Sequence, residues 1–143
     1  MRYILLITLL LGITGCEDLL FNPDTSKTGE TLDSSAITGA WGNTIYNDSL
    51  VTLSKLKALP DDDYGILFLQ DGKLTENKNA GWCGTPPISY AEFSGLWDLS
   101  ADSVLTVETS YWGGKIWMEW KLLSVDPGQF TYYILSQEYL DEE

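Results

Sequence analysis

The sequence predicts an all-β protein: an antiparallel up-and-down meander of about eight strands that closes into a barrel. Three observations carry this. Tight-turn residues separate apolar runs: Asp71-Gly72 divides residues 64–70 from 73–78, Gly113-Gly114 divides 104–112 from 115–123, and Asp126-Pro127-Gly128 precedes Phe130. Asp-Gly between such runs is the strongest short hairpin signal, because its left-handed turn matches the twist of paired strands. Residues 115–122 alternate with a period of two: Ile116, Met118, Trp120 and Leu122 on one face, Lys115, Trp117, Glu119 and Lys121 on the other. That period marks a sheet with one wet face. Finally, the connections leave no room for crossover helices, and an antiparallel sheet hides its edges best by closing.

Taken in order, the strands fall near 40–46, 50–57, 64–70, 73–78, 88–98, 103–111, 115–123 and 129–138, and Asn47-Asp48 turns the first into the second. The second run is ambiguous. Leu50, Leu53, Leu56 and Leu59 also sit near helical spacing, with Ser49 as an N-cap and Pro60 as a stop. Val51, Thr52 and the flanking hairpins favour a strand. An eight-stranded barrel has an interior just wide enough for side chains or one small ligand.

The barrel is expected over residues 37–143, behind a signal peptide at 1–15 and a tether at 16–36. Arg2 and the apolar run at 4–13 have the length of a signal-peptide core; a membrane-spanning helix needs roughly 20 apolar residues. Ile13-Thr14-Gly15-Cys16 resembles the site at which bacterial lipoprotein signals are cut before a cysteine, which then takes acyl chains such as palmitate. An ordinary cleaved signal with an incidental cysteine is the alternative. Each buried methylene contributes about 0.8 kcal/mol, so several chains hold firmly where one does not. This places the protein in the bacterial cell envelope, anchored on the periplasmic face or at the surface. The polar stretch behind Cys16 includes one apolar patch, Leu19-Leu20-Phe21. A coil of ~20 residues spans about 25 Å.

The net charge is −13, from 21 acidic and 8 basic residues. Such a surface disfavours nucleic acid, whose phosphates call for Lys and Arg, and direct docking on anionic lipid. It keeps the protein soluble or attracts a basic partner. There is no histidine, which excludes Ser-His-Asp and Cys-His centres and a zinc site built from Cys and His. With Cys16 acylated, Cys83 has no partner within the chain. No Asp or Glu pair stands out by its spacing, so a non-enzymatic protein without cofactor or metal is expected. Asp61-Asp62-Asp63 reads as a solvated turn; consecutive acids do not match the alternating ligands of a calcium loop.

Gly39-Ala40-Trp41 opens the first strand and Gly95-Leu96-Trp97 repeats its spacing. With Gly81-Trp82-Cys83-Gly84-Thr85-Pro86-Pro87, Tyr90 and Tyr111-Trp112-Gly113-Gly114, the chain over 39–137 resembles small lipocalin-like bacterial envelope proteins. The resemblance implies a calycin-type barrel and no particular activity.

Trp41, Phe68, Tyr90, Trp97 and Trp120 are the candidate ligand-binding residues. The tryptophans and Phe68, with Tyr132 or Tyr133, are expected to face inward, filling the core or lining an apolar pocket. Trp82 and Cys83 mark either a rigid connection or a recognition loop with Trp82 as its anchor. Cys83 reads as a small buried apolar residue, since nothing beside it lowers a thiol pKa. Trp117, among charges, either anchors an interface or covers a neighbouring strand. The expected function is uptake of a small apolar or amphiphilic ligand or an accessory envelope role; the alternative is an acidic inhibitor- or immunity-type module for a basic protein, bound less well in salt.

Overall fold

The computed structural model describes residues 32–81 and 84–141. After a 3-10 turn at Ser34–Ala36, eight strands follow: β1 (Gly39–Asn47), β2 (Leu50–Leu56), β3 (Gly65–Phe68), β4 (Lys73–Asn79), β5 (Tyr90–Leu99), β6 (Val104–Tyr111), β7 (Gly114–Asp126) and β8 (Gln129–Asp141). They form one closed antiparallel barrel. The second run is a strand, with Val51 and Leu53 buried at alternate positions. The expected turns are present, with Asp48 at φ 53° and Gly72 at φ 80°.

The up-and-down order holds from β3 to β8. The β1–β2 hairpin departs from it: β1 pairs with β3, and β2 pairs with β8. β2 and β3 therefore run parallel with β1 between them, and residues 57–64 cross from one to the other. A tight turn joins only antiparallel neighbours; parallel strands need a longer crossover. Buried Asn77 holds this crossing, its Nδ2 donating to the carbonyls of Pro60 at 2.6 Å and Asp63 at 3.0 Å. Asp61, Asp62 and Asp63 are exposed on the crossing.

The two Gly-x-Trp motifs have a steric basis. Gly39 has φ 116°, and a Cβ there would meet Lys55 Nζ at 2.5 Å. A Cβ on Gly95 would stand 2.0 Å from the carbonyl oxygen of Glu108, so β5 and β6 approach there only without a side chain. Each motif's tryptophan then enters the interior and donates its indole N–H to a backbone carbonyl: Trp41 to Ile37 at 2.6 Å and Trp97 to Leu69 at 2.9 Å.

Those bonds belong to the filled end of the barrel, where Ile37 is fully buried beneath the ring. Trp41 meets Phe130 edge-on at 4.8 Å, Phe68 meets Trp97 at 5.4 Å, and Trp120 stacks on Tyr132. Leu53, Ile66, Leu105 and Val107, none with any exposed surface, complete the core. Burying each such side chain contributes about 1.5–3 kcal/mol.

The opposite end is built differently. β7 and β8 stay paired up to Gly114 and Asp141, whereas β3 is only four residues long and β2 reaches β8 only between Gln129 and Tyr132. Among the described residues, β8 from Tyr133 onward has β7 as its one strand partner. The wall formed by β4 to β8 thus rises above the rest of the ring.

Candidate functional site

The raised wall borders an open cup of about 720 Å³ at this end. Its lining comes from inward positions of four strands: Glu76 and Lys78 on β4, Tyr111 at the end of β6, Ile116 and Met118 on β7, and Tyr139 on β8. Cross-strand pairing explains why they converge, because paired residues share a face. Ile116 pairs with Tyr139 and Met118 with Gln137, after a register shift beside Trp120 that brings this half of β8 into phase. Trp112 and Tyr139 form the brim, 61% and 60% exposed, and Tyr111 touches both edge-on at 5.6 and 5.5 Å.

The polar centre is Glu76, a buried carboxylate. Its Oε2 accepts from Lys78 Nζ at 2.5 Å and its Oε1 from the Tyr64 hydroxyl at 3.0 Å. Residues 76 and 78 are two apart on a strand, so both point inward. Lys78 also lies over the Phe93 ring, 5.3 Å from its centroid. Loss of solvation pushes the Tyr64 hydroxyl well above its ordinary pKa, and the charge of Glu76 adds to this. Tyr132 is raised by burial first, then by Tyr46 and Glu76. Both phenols are thus kept neutral, and Tyr64 donates to the carboxylate.

The expected aromatics are only partly where a ligand would sit. Trp41, Phe68, Trp97 and Trp120 do converge inside the barrel, and Tyr132 rather than Tyr133 joins them. They fill the closed half, and the described lining of the cup contains none of the four. Tyr90, the remaining candidate, opens β5 in phase with exposed Glu92, Ser94, Leu96 and Asp98, so the strand's alternation turns it away from the interior. Cys16, Trp82 and Cys83 lie outside the described residues, although Gly81 and Gly84 both border the cup. Trp117 is half-buried on the outer wall with Leu96, Thr106 and Glu108 around a hollow of about 330 Å³.

Glu76, Lys78 and Tyr64 escaped the sequence reading. The signal for Glu76 and Lys78 was polar residues at alternate positions of Lys73–Asn79, in phase with buried Leu74. A further hollow of about 640 Å³ lies beside Lys55, Ala58 and Leu67; it includes no buried charge. The cup therefore combines apolar walls, aromatic brim and a few convergent polar groups, the composition of small-molecule sites. Comparison of the chain with protein-family models, curated proteins and solved structures finds no match.

Proposed function

We propose that this protein is a non-enzymatic, membrane-anchored lipoprotein of the bacterial envelope whose lipocalin-like barrel takes up a small apolar or amphiphilic molecule. The observation that carries the reading is the cup above a filled core, with apolar Ile116 and Met118 beside a buried Glu76–Lys78 pair. The apolar body of the ligand packs on Ile116, Met118 and Tyr111, while hydroxyl and charged groups fix its polar part. The anchor rests on Arg2, the apolar run behind it and Gly15-Cys16. Two measurements test the two halves. Cys16→Ser should release the protein from membranes, and a variant that still sediments with them removes the anchor. An apolar fluorescent dye should be bound by the wild type and lost on Ile116→Trp, which blocks the cup; equal binding by both removes the cup.

A second reading, docking of a basic protein, is favoured by the outer wall, where Leu96 is 56% exposed beside Trp117, Asp98 and Glu108. Such binding should weaken steeply with salt.

A further inference from the structure

Resting on the cup as the binding site, we infer that its ligand carries a dipolar head group, with a positive and a negative pole together, and not a single net charge. Glu76 and Lys78 are in contact at 2.5 Å and both line the cup, so among the described lining residues the site offers one unit of each sign and no surplus. Their side chains are only 6% and 19% exposed. A singly charged head entering such a place loses its hydration, and each attraction to one partner is offset by repulsion from the other. A dipolar head meets both: its cation approaches Glu76 and its anion approaches Lys78. The ammonium has three donors, of which Glu76 takes one, and each carboxylate oxygen can accept more than the single bond described for it. The Tyr64 hydroxyl, kept neutral, holds Glu76 in place without altering the balance. The charge of the whole protein, −13, adds a long-range bias against an anionic head. Ile116, Met118 and Tyr111 take the attached chain.

The test compares three short-chain probes with matched tails: hexylphosphocholine, hexanoate and hexyltrimethylammonium. Each is titrated against the full chain in lipid nanodiscs, with empty nanodiscs as the blank and tryptophan fluorescence as the readout. The zwitterion should bind at least about tenfold more tightly than either singly charged probe, and should keep its lead over hexyltrimethylammonium when salt screens the acidic surface. Glu76→Gln should then place hexanoate ahead of hexyltrimethylammonium, and Lys78→Met should reverse that order. Lys78→Arg, which keeps the charge, should retain the wild-type ranking. The wild-type ranking needs no variant, so a misfolded substitution leaves the test intact. Equal affinity for all three probes, or a ranking unmoved by both charge-removing variants, overturns the inference while leaving the cup as a site. No saturable binding by any probe overturns the cup itself, and the inference with it.

Discussion

The Trp120 indole and the Tyr132 phenol lie face to face, 4.3 Å between centroids and 16° from parallel. On β7, Trp120 is one inward step below Met118, which lines the cup, so the stack forms the boundary between filled and open halves. It belongs to the core by its burial and supports the site by its position.

Trp120→Ala should cost about 3–5 kcal/mol in stability, the range for deleting a large buried ring. Trp120→Phe should cost far less, because the indole N–H is buried with no hydrogen-bond partner among the described residues, and removing an unpaired buried donor relieves a penalty. Urea unfolding of the two variants checks this. Equal losses would show that the nitrogen has a role of its own.

Gly95→Ala should be destabilising by about 1–3 kcal/mol or more, because a methyl group there has a backbone oxygen at 2.0 Å and no flexible side chain to displace. Gly128→Ala, with nothing within 4 Å of the new carbon, should stay within about 0.5 kcal/mol of wild type. Thermal unfolding of the pair separates close strand approach from a general intolerance of alanine.

Asn77→Ala should cost about 1–3 kcal/mol, since the carbonyls of Pro60 and Asp63 both lose their donor. Limited proteolysis should cut first within residues 57–64. Cleavage elsewhere would show that the crossing is held by other contacts.

Alkaline pH should weaken the fold through Tyr64 and Tyr132. Both hydroxyls titrate above the ordinary value of 10.0 when folded, so their neutral forms favour the native state. That contribution is complete below the unfolded pKa and is lost as pH rises past it toward the folded values. Melting temperature should therefore fall above pH ~10, and Tyr64→Phe or Tyr132→Phe should flatten the decline. A slope unchanged in both variants would show that these two hydroxyls do not cause it.

Tyr139→Ala should weaken capture of an apolar dye several-fold and leave stability within about 0.5 kcal/mol, because the ring stands on the brim with 60% of its surface exposed. Loss of stability on a larger scale would place Tyr139 in the core.

Much of the fold was legible because strands announce themselves locally. The alternation at 115–122 and the Asp71-Gly72 turn fix strand, face and register within a few residues. Trp41 and Trp97 could be turned inward for the same reason. The reversed β1–β2 hairpin could not, because the residues that secure it, Asn77 with Pro60 and Asp63, are distant in sequence and resemble ordinary loop polars. The sequence makes Tyr90 a ligand-binding candidate with no face assigned, and the alternation of β5 decides that face, since a shift of one residue exchanges the two. The cup depends on strands of unequal length, and the polar run Lys73–Asn79 does not by itself show that Glu76 is buried.

Staves of uneven height have a consequence for how such a vessel changes over time. The buried rings crowd the lower storey, while the upper one ends in Trp112 and Tyr139, both largely exposed. Replacements at Trp112 and Tyr139 are therefore at liberty to reshape the brim, and the base beneath them stays as it was.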